Sequence, residues 1–262
     1  MSTENNTNII ERLFKAGSHF GFSKSRRHPS TVPFIFGSKN GTDIFDLEIT
    51  AQQIEDAKKI LAEAGENGKK VLFVGTKEEI ASAVKTAAEK IEMPFVANRW
   101  IGGMLTNYSE IRKRIERLKT LTAERESGEL ERKYTKKERV VIGREVDKLE
   151  FNFGGVKDIE RTPALMVVVD PRHNFIAVQE ANDMKIPIVA IMNSDCDAGK
   201  IQAPIMVNDA LTTSVELVLS ELTDAYTEGR AKYVAPPVRP ARPQRTEGGR
   251  PAARPRRTFD RR

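Results

Sequence analysis

Three uninterrupted apolar runs constrain this chain most: Val71–Val74, Ala164–Val169 and Pro187–Met192. None of them offers a polar face to water. A strand of that kind must be covered on both sides, which calls for a parallel sheet between two helical layers. Helical patterns separate the runs. Thr50 is placed to cap a helix through about Ala64, with Ile54, Ala57, Ile60, Leu61 and Ala64 on one face. Thr76, with Glu79 three residues on, has the spacing of a capping box. Pro94–Val96 begins another short strand, and Ile205–Val207 suggests one more. Helices are expected over 9–17, stopped by Gly17, over Asn174–Met184 and over Asp209–Tyr226. Residues 18–30 read as a polar, basic loop, and two β-prone runs joined by Asn40-Gly41 read as a hairpin. The fold class is therefore α/β, with right-handed crossovers.

The segment 106–153 has a different character. Its charge is dense and its apolar residues are sparse and helically spaced: Ile111, Ile115, Leu118 and Leu121 form one stripe, Ile142, Val146, Leu149 and Phe153 another. Ser127-Gly128 breaks the chain between them, and Thr135 with Glu138 supplies a capping box before the second stripe. Two narrow facing stripes predict an antiparallel coiled-coil hairpin that projects as an arm. The domain organisation follows: a discontinuous α/β core over 1–105 and 154–229, an arm over 106–153, and a tail over 230–262. The tail holds eleven Lys and Arg against two acids, and six of the 13 prolines. Such a composition predicts disorder. The remaining residues carry 32 bases against 35 acids, so the net +6 resides wholly in the tail. A flexible cationic arm on a near-neutral body is the footprint of a protein that meets a polyanion.

Catalytic patterns are weak. There is no GxxxxGK[ST], no GxGxxG and no GxSxG, and Gly75 in Val74-Gly75-Thr76-Lys77 is better read as easing a tight strand-to-helix turn. Cys196 is the only cysteine, which excludes an internal disulfide. A metal site from His173, Asp195 and Cys196 is conceivable but lacks ligand spacing, and a lone Cys is usually a small buried hydrophobe. Asp170, Asp195 and Asp197 follow strand ends, where acids of a nucleotide-dependent enzyme on a doubly wound fold would stand. Turn and cap roles explain them more simply. No cofactor, metal or small-molecule substrate is expected. The start shows no signal-peptide pattern and no stretch is long and apolar enough to span a bilayer, so the expectation is a cytoplasmic protein.

The binding candidates lie in polar segments. Lys24, Arg26 and Arg27 stand beside His28, and arginine forks grip phosphate oxygens bidentately. ANRWIGGMLTN places Arg99 beside Trp100, the only tryptophan, then two glycines and Asn107. An indole next to Gly102-Gly103 suits contact with a large partner, or equally a plug where the arm departs. The arm adds Lys113, Arg114, Lys136 and Lys137. Its 13 bases are offset by ten acids between Glu110 and Glu150, so attraction must come from particular faces.

AGSHFGFSKSRRHPSTVPFIFGSKNGTDIFDLEIT, VLFVGTKEE, MPFVANRWIGGMLTN, FGGVKDIERTPALMVVVDPR and IPIVAIMNSDCDAGKIQAPIMVNDA occur in that order. Together they resemble the bacterial small-subunit ribosomal protein S two family over residues 9–226. The resemblance implies a flavodoxin-like three-layer sandwich with a protruding coiled-coil hairpin, and no enzymatic activity. It implies binding to 16S rRNA at the back of the 30S subunit between head and body. It further implies contact with neighbouring small-subunit proteins and help in docking ribosomal protein S one. The rRNA-binding residues expected are Lys24, Arg26, Arg27, His28, Arg99, Trp100, Asn107, Lys113, Arg114, Lys136 and Lys137. The chain departs from the family at Phe22–Pro29, where the family has His-Gln-Thr-Arg-Arg-Trp-Asn-Pro. It departs again at Asn193–Ala198 and at Asn208-Asp209-Ala210, where the family has a double Asp. The Arg/Pro tail lies beyond the resemblance.

Overall fold

A computed structural model describes residues 2–233 other than residue 160, with side chains from residue 8 onward. Residues 234–262, most of the expected tail, lie outside the described residues. The chain opens with α1 (Ser2–Lys15), β1 (Phe20–Ser23), β2 (Ile35–Lys39), β3 (Thr42–Phe45) and α2 (Leu47–Glu66). There follow β4 (Val71–Val74), α3 (Glu78–Lys90), β5 (Phe95–Val96), α4 (Tyr108–Glu126), α5 (Glu129–Lys133) and α6 (Lys136–Phe153). The chain continues through β6 (Leu165–Val169), α7 (Phe175–Asp183), β7 (Ile188–Met192), β8 (Ala203–Met206) and α8 (Thr212–Ala231).

Five strands form one parallel sheet in the order β5-β4-β6-β7-β8. Counted along the chain this is 2-1-3-4-5, the flavodoxin-like order, and it reverses between β4 and β6. Alternate residues serve opposite layers. Val71, Phe73, Val167, Val189 and Ile191 pack with Leu13, Ile54, Leu61, Ile80, Val218 and Leu222 of α1, α2, α3 and α8. Leu72, Val74, Met166, Val168 and Ala190 pack on the other side with Ala177, Val178 and Ala181 of α7. That second core runs on through Trp100, Met104 and Leu105 into both predicted stripes, Ile111–Leu121 and Ile142–Phe153, all buried. α4 and α6 lie side by side in opposite directions: Arg117 Nε is 3.4 Å from Glu145 Oε1, while Asn107 and Glu110 share a groove with Lys148 and Asn152.

The first layer depends on a close helix crossing. A Cβ on Gly65 of α2 would stand 2.5 Å from the Tyr226 carbonyl oxygen, and one on Gly229 of α8 would run into the Ala62 carbonyl. A smaller antiparallel sheet, β1-β3-β2, flanks the core. Its β2–β3 turn is the expected Asn40-Gly41, both left-handed at φ 52° and 79°, as a two-residue hairpin loop requires.

The differences from expectation concern helix starts and the basic loop. α2 is capped not by Thr50 but by Asp46, whose Oδ1 accepts from the Glu48 N–H at 2.9 Å. Thr50 lies inside the helix and donates to the buried Met206 carbonyl at 2.8 Å. Thr76 caps nothing: Lys77 holds the N-cap position of α3, and the Thr76 hydroxyl reaches Asn174 instead. α8 starts at Thr212, past Asp209, which is committed to a buried bond with Asn193, and it continues to Ala231. Residues 18–30 are an ordered strand and turns, tied by His28 N–H to the Ser194 carbonyl at 2.8 Å. The Thr135–Glu138 capping box forms as expected.

Candidate nucleic-acid interface

In a doubly wound sheet a nucleotide would sit at the carboxyl ends of β4 and β6, where the order reverses. Here that crevice is occupied by the chain's own side chains. The Thr76 hydroxyl donates to Asn174 Oδ1 at 2.8 Å, Asn174 Nδ2 donates to the Val169 carbonyl at 2.9 Å, and Lys77 Nζ lies 3.6 Å from Asp170. Gly75 is required by packing, since a Cβ there would be 2.6 Å from Val84 Cγ2. Asn193 Nδ2 donates to Asp209 Oδ1 at 2.9 Å, and burial, with the Asp170 charge next, raises the Asp209 carboxyl to about 7. Cys196 is buried, and desolvation pushes its thiol up, away from the reactive thiolate. Among the described residues no three His, Cys, Asp or Glu side chains form a group able to hold a metal.

The basic loop divides its cations between inside and outside. Lys24 and Arg26 are exposed, and Arg26 lies 5.8 Å above the Phe22 ring. Arg27 turns inward. Its Nε donates to Asp43 Oδ2 at 2.7 Å, and its Nη2 donates to Asp43 Oδ1 and, at 3.0 Å, to Ser38 Oγ. The Asp43 side chain is fully buried, and the guanidinium holds its carboxyl below the usual carboxylate range. The His28 ring is half-buried, with Nδ1 2.7 Å from Ser30 Oγ and 4.0 Å from Asp197. Arg26 and His28 edge a cleft of about 1050 Å³ that also includes Arg172, Lys200, Asp195 and Asp197.

The second locus joins the sheet to the helical pair. Arg99 is exposed and has no ion-pair partner among the described residues. Trp100 is 8% exposed, and its indole N–H donates to Glu180 Oε1 at 3.1 Å. Asn107 occupies the N-cap position of α4, and its side chain accepts only a long bond from the Ser109 hydroxyl, 3.4 Å. A groove of about 570 Å³ runs along the root of the pair, lined by Gly102, Gly103, Asn107, Arg114, Lys148 and Asn152. Gly103 has φ 87°, which only glycine adopts without strain, and a Cβ on Gly102 would meet nothing. Arg114, Lys136 and Lys137 are exposed and free of ion pairs among the described residues, whereas Lys113 pairs with Glu110 at 2.6 Å. Lys148 escaped the sequence reading because its partners in the groove lie on the other helix. Glu180 escaped it too, although a carboxylate on the apolar face of Ala177, Val178 and Ala181 is itself a signal.

These features define a class: a doubly wound α/β scaffold whose sheet crevice is stapled by its own side chains and whose basic loop and helical pair carry exposed cations without ion-pair partners among the described residues. A family model described as Ribosomal protein S2 matches residues 13–229. The chain is 41% identical over 221 residues to the small ribosomal subunit protein uS2 of Picosynechococcus sp., covering 84% of this chain and 86% of that protein. It is 40% identical over 221 residues to uS2 of Coprothermobacter proteolyticus, covering 84% and 82%. It is 39% identical over 227 residues to uS2c of Guillardia theta, covering 87% and 96%. The chain belongs to the ribosomal protein S2 family, structural proteins of the small ribosomal subunit and not enzymes. No described helix is long and apolar enough to cross a membrane.

Proposed function

We propose that this chain is a structural constituent of the 30S subunit in the cytoplasm. In this reading it binds 16S rRNA and neighbouring small-subunit proteins and helps dock ribosomal protein S one. Residues 1–105 and 154–229 act as the core, 106–153 as an antiparallel coiled-coil arm, and 230–262 as a cationic tail that begins in the last turn of α8. The observation that carries the reading is a group of exposed cations with no ion-pair partner among the described residues: Lys24 and Arg26 on the basic loop, Arg99 after β5, and Arg114, Lys136 and Lys137 on the helical pair. Free lysines and arginines release counterions when they meet phosphates, and this term dominates RNA affinity. Lys136 and Lys137 support it further. They occupy the first turn of α6, where the helix dipole disfavours positive charge, so helix stability does not account for them. Arg27 and Trp100 contribute by shaping the two loci from within, and His28, Asn107 and Lys113 flank them. Shape-reading contacts to folded RNA need this distribution and no catalytic group.

The test is co-sedimentation of the chain with small subunits stripped of their own copy, across a salt series. Binding is expected to weaken steeply as salt rises, and alanine at Lys24, Arg26, Arg114, Lys136 and Lys137 together is expected to flatten that dependence. Salt-insensitive binding, or unchanged binding by the substituted chain, overturns the proposal.

A further inference from the structure

Glu180 has no place in the reading so far, yet it is the most heavily engaged carboxylate among the described residues. It is 7% exposed on α7 and accepts five hydrogen bonds from a single segment. Oε1 takes the Gly103 N–H at 2.8 Å and the Trp100 indole N–H at 3.1 Å. Oε2 takes the Leu105 N–H at 3.0 Å, the Thr106 N–H at 3.2 Å and the Thr106 hydroxyl at 3.2 Å. The three backbone N–H groups have no other acceptor among the described residues. We infer that Glu180 is a positioning residue: its carboxylate clamps Trp100–Thr106 onto α7, and so sets the floor of the root groove and the direction in which α4 leaves the sheet.

The chemistry requires a carboxylate. Only an acceptor-only group with two oxygens satisfies five converging donors. Glutamine would turn an NH2 toward N–H groups, and aspartate would fall short by a methylene. These bonds hold the Glu180 carboxyl below its ordinary range against the opposing effect of its burial. The returning helix of the pair is tied as well, because Asn98 Nδ2 donates to the Phe151 carbonyl at 2.8 Å. The outgoing root is thus held by α7 and the returning one by the loop after β5, and the segment 98–107 that carries both ties presents Arg99, Gly102 and Asn107. The clamp bears on RNA through the binding function proposed above.

The test compares the full chain with Glu180→Gln, and uses the sole tryptophan as a reporter. In the parent, the amides of Gly103, Leu105 and Thr106 should exchange with solvent as one protected set; exchange as free as that of Gly102 overturns the inference without any variant. In Glu180→Gln, Trp100 emission should shift to the red and protection of those amides fall about tenfold. Amides of β6 and β7 should stay protected. Unchanged emission and protection overturn the inference. On small subunits the variant should bind about tenfold more weakly with a shallower salt dependence, since misplaced cations lose phosphate contacts. Weaker binding with the parent's salt dependence marks a mere loss of folded protein and also overturns it. If the parent itself fails to bind, the RNA reading falls, while emission and exchange still decide the clamp.

Discussion

Replacing Arg27 by alanine separates two neighbouring arginines that look alike in the sequence. The Arg27 side chain is 18% exposed and its partner Asp43 is fully buried. Removing the guanidinium strands a carboxylate that keeps only the Ser38 hydroxyl, 2.8 Å away. Breaking a buried ion pair from one side costs about 3–5 kcal/mol. Water reaching the vacated space moves this toward the lower end, about 3 kcal/mol. For a chain of this size each kcal/mol lowers the melting temperature by roughly 2–4 °C, so Arg27→Ala should melt about 6–12 °C below the parent at pH 7. Arg26→Ala, which removes an exposed side chain, should stay within about 0.5 kcal/mol. The effect has a defined pH window. The folded Asp43 carboxyl titrates below its usual range, so its stabilisation is complete above the unfolded value near 4 and is lost as pH falls through the folded one. The gap between parent and Arg27→Ala should therefore narrow in acid. The assay is thermal unfolding by circular dichroism from pH 3 to 7. A variant melting within about 2 °C of the parent at pH 7, or a gap constant across pH, refutes the buried-pair argument.

Other outcomes are equally specific. Burial raises the Asp209 carboxyl to about 7, so the folded chain holds a proton that the unfolded chain gives up near 4. Stability should fall as pH rises from about 4 to about 7 and level off above. Asp209→Asn should remove that fall, worth about 2–4 kcal/mol, in urea unfolding across the range. Gly229→Ala gains about 1 kcal/mol of helix propensity but drives a Cβ into the Ala62 backbone, and overpacking of about 1–3 kcal/mol should leave it destabilised. Gly143→Ala in α6, whose Cβ meets nothing, should instead stabilise by about 0.5–1 kcal/mol in the same assay. Lys136→Glu with Lys137→Glu should raise the melting temperature slightly through the helix dipole while weakening subunit binding. Loss of both together would count against the proposed role of these lysines.

What was legible in the sequence is what short range determines. Val71–Val74, Leu165–Val169 and Ile188–Met192 are buried at every position because each run offers no polar face, and the two stripes in 106–153 are buried because their spacing matches a helix. The Thr135–Glu138 box and the Asn40-Gly41 turn involve residues no more than three positions apart, and both form. What escaped involves partners remote along the chain. Arg27 is turned inward by a residue 16 positions away, and Trp100 is held by one 80 positions away. Thr76 carries every local mark of a cap, yet it bonds across the sheet crevice to a residue 98 positions distant. Among the candidate site residues, the sequence supplied the right segments but not the inward or outward sense of each side chain. That sense depends on which buried donor or acceptor lies opposite.

The central claim is that cations on the basic loop and the helical pair face RNA. Amine-reactive footprinting of the chain, free and within reconstituted small subunits, tests it most directly. Lys24, Lys136 and Lys137, exposed in the free chain, should lose most of their reactivity on incorporation. Equal labelling of all three in both states would contradict the account.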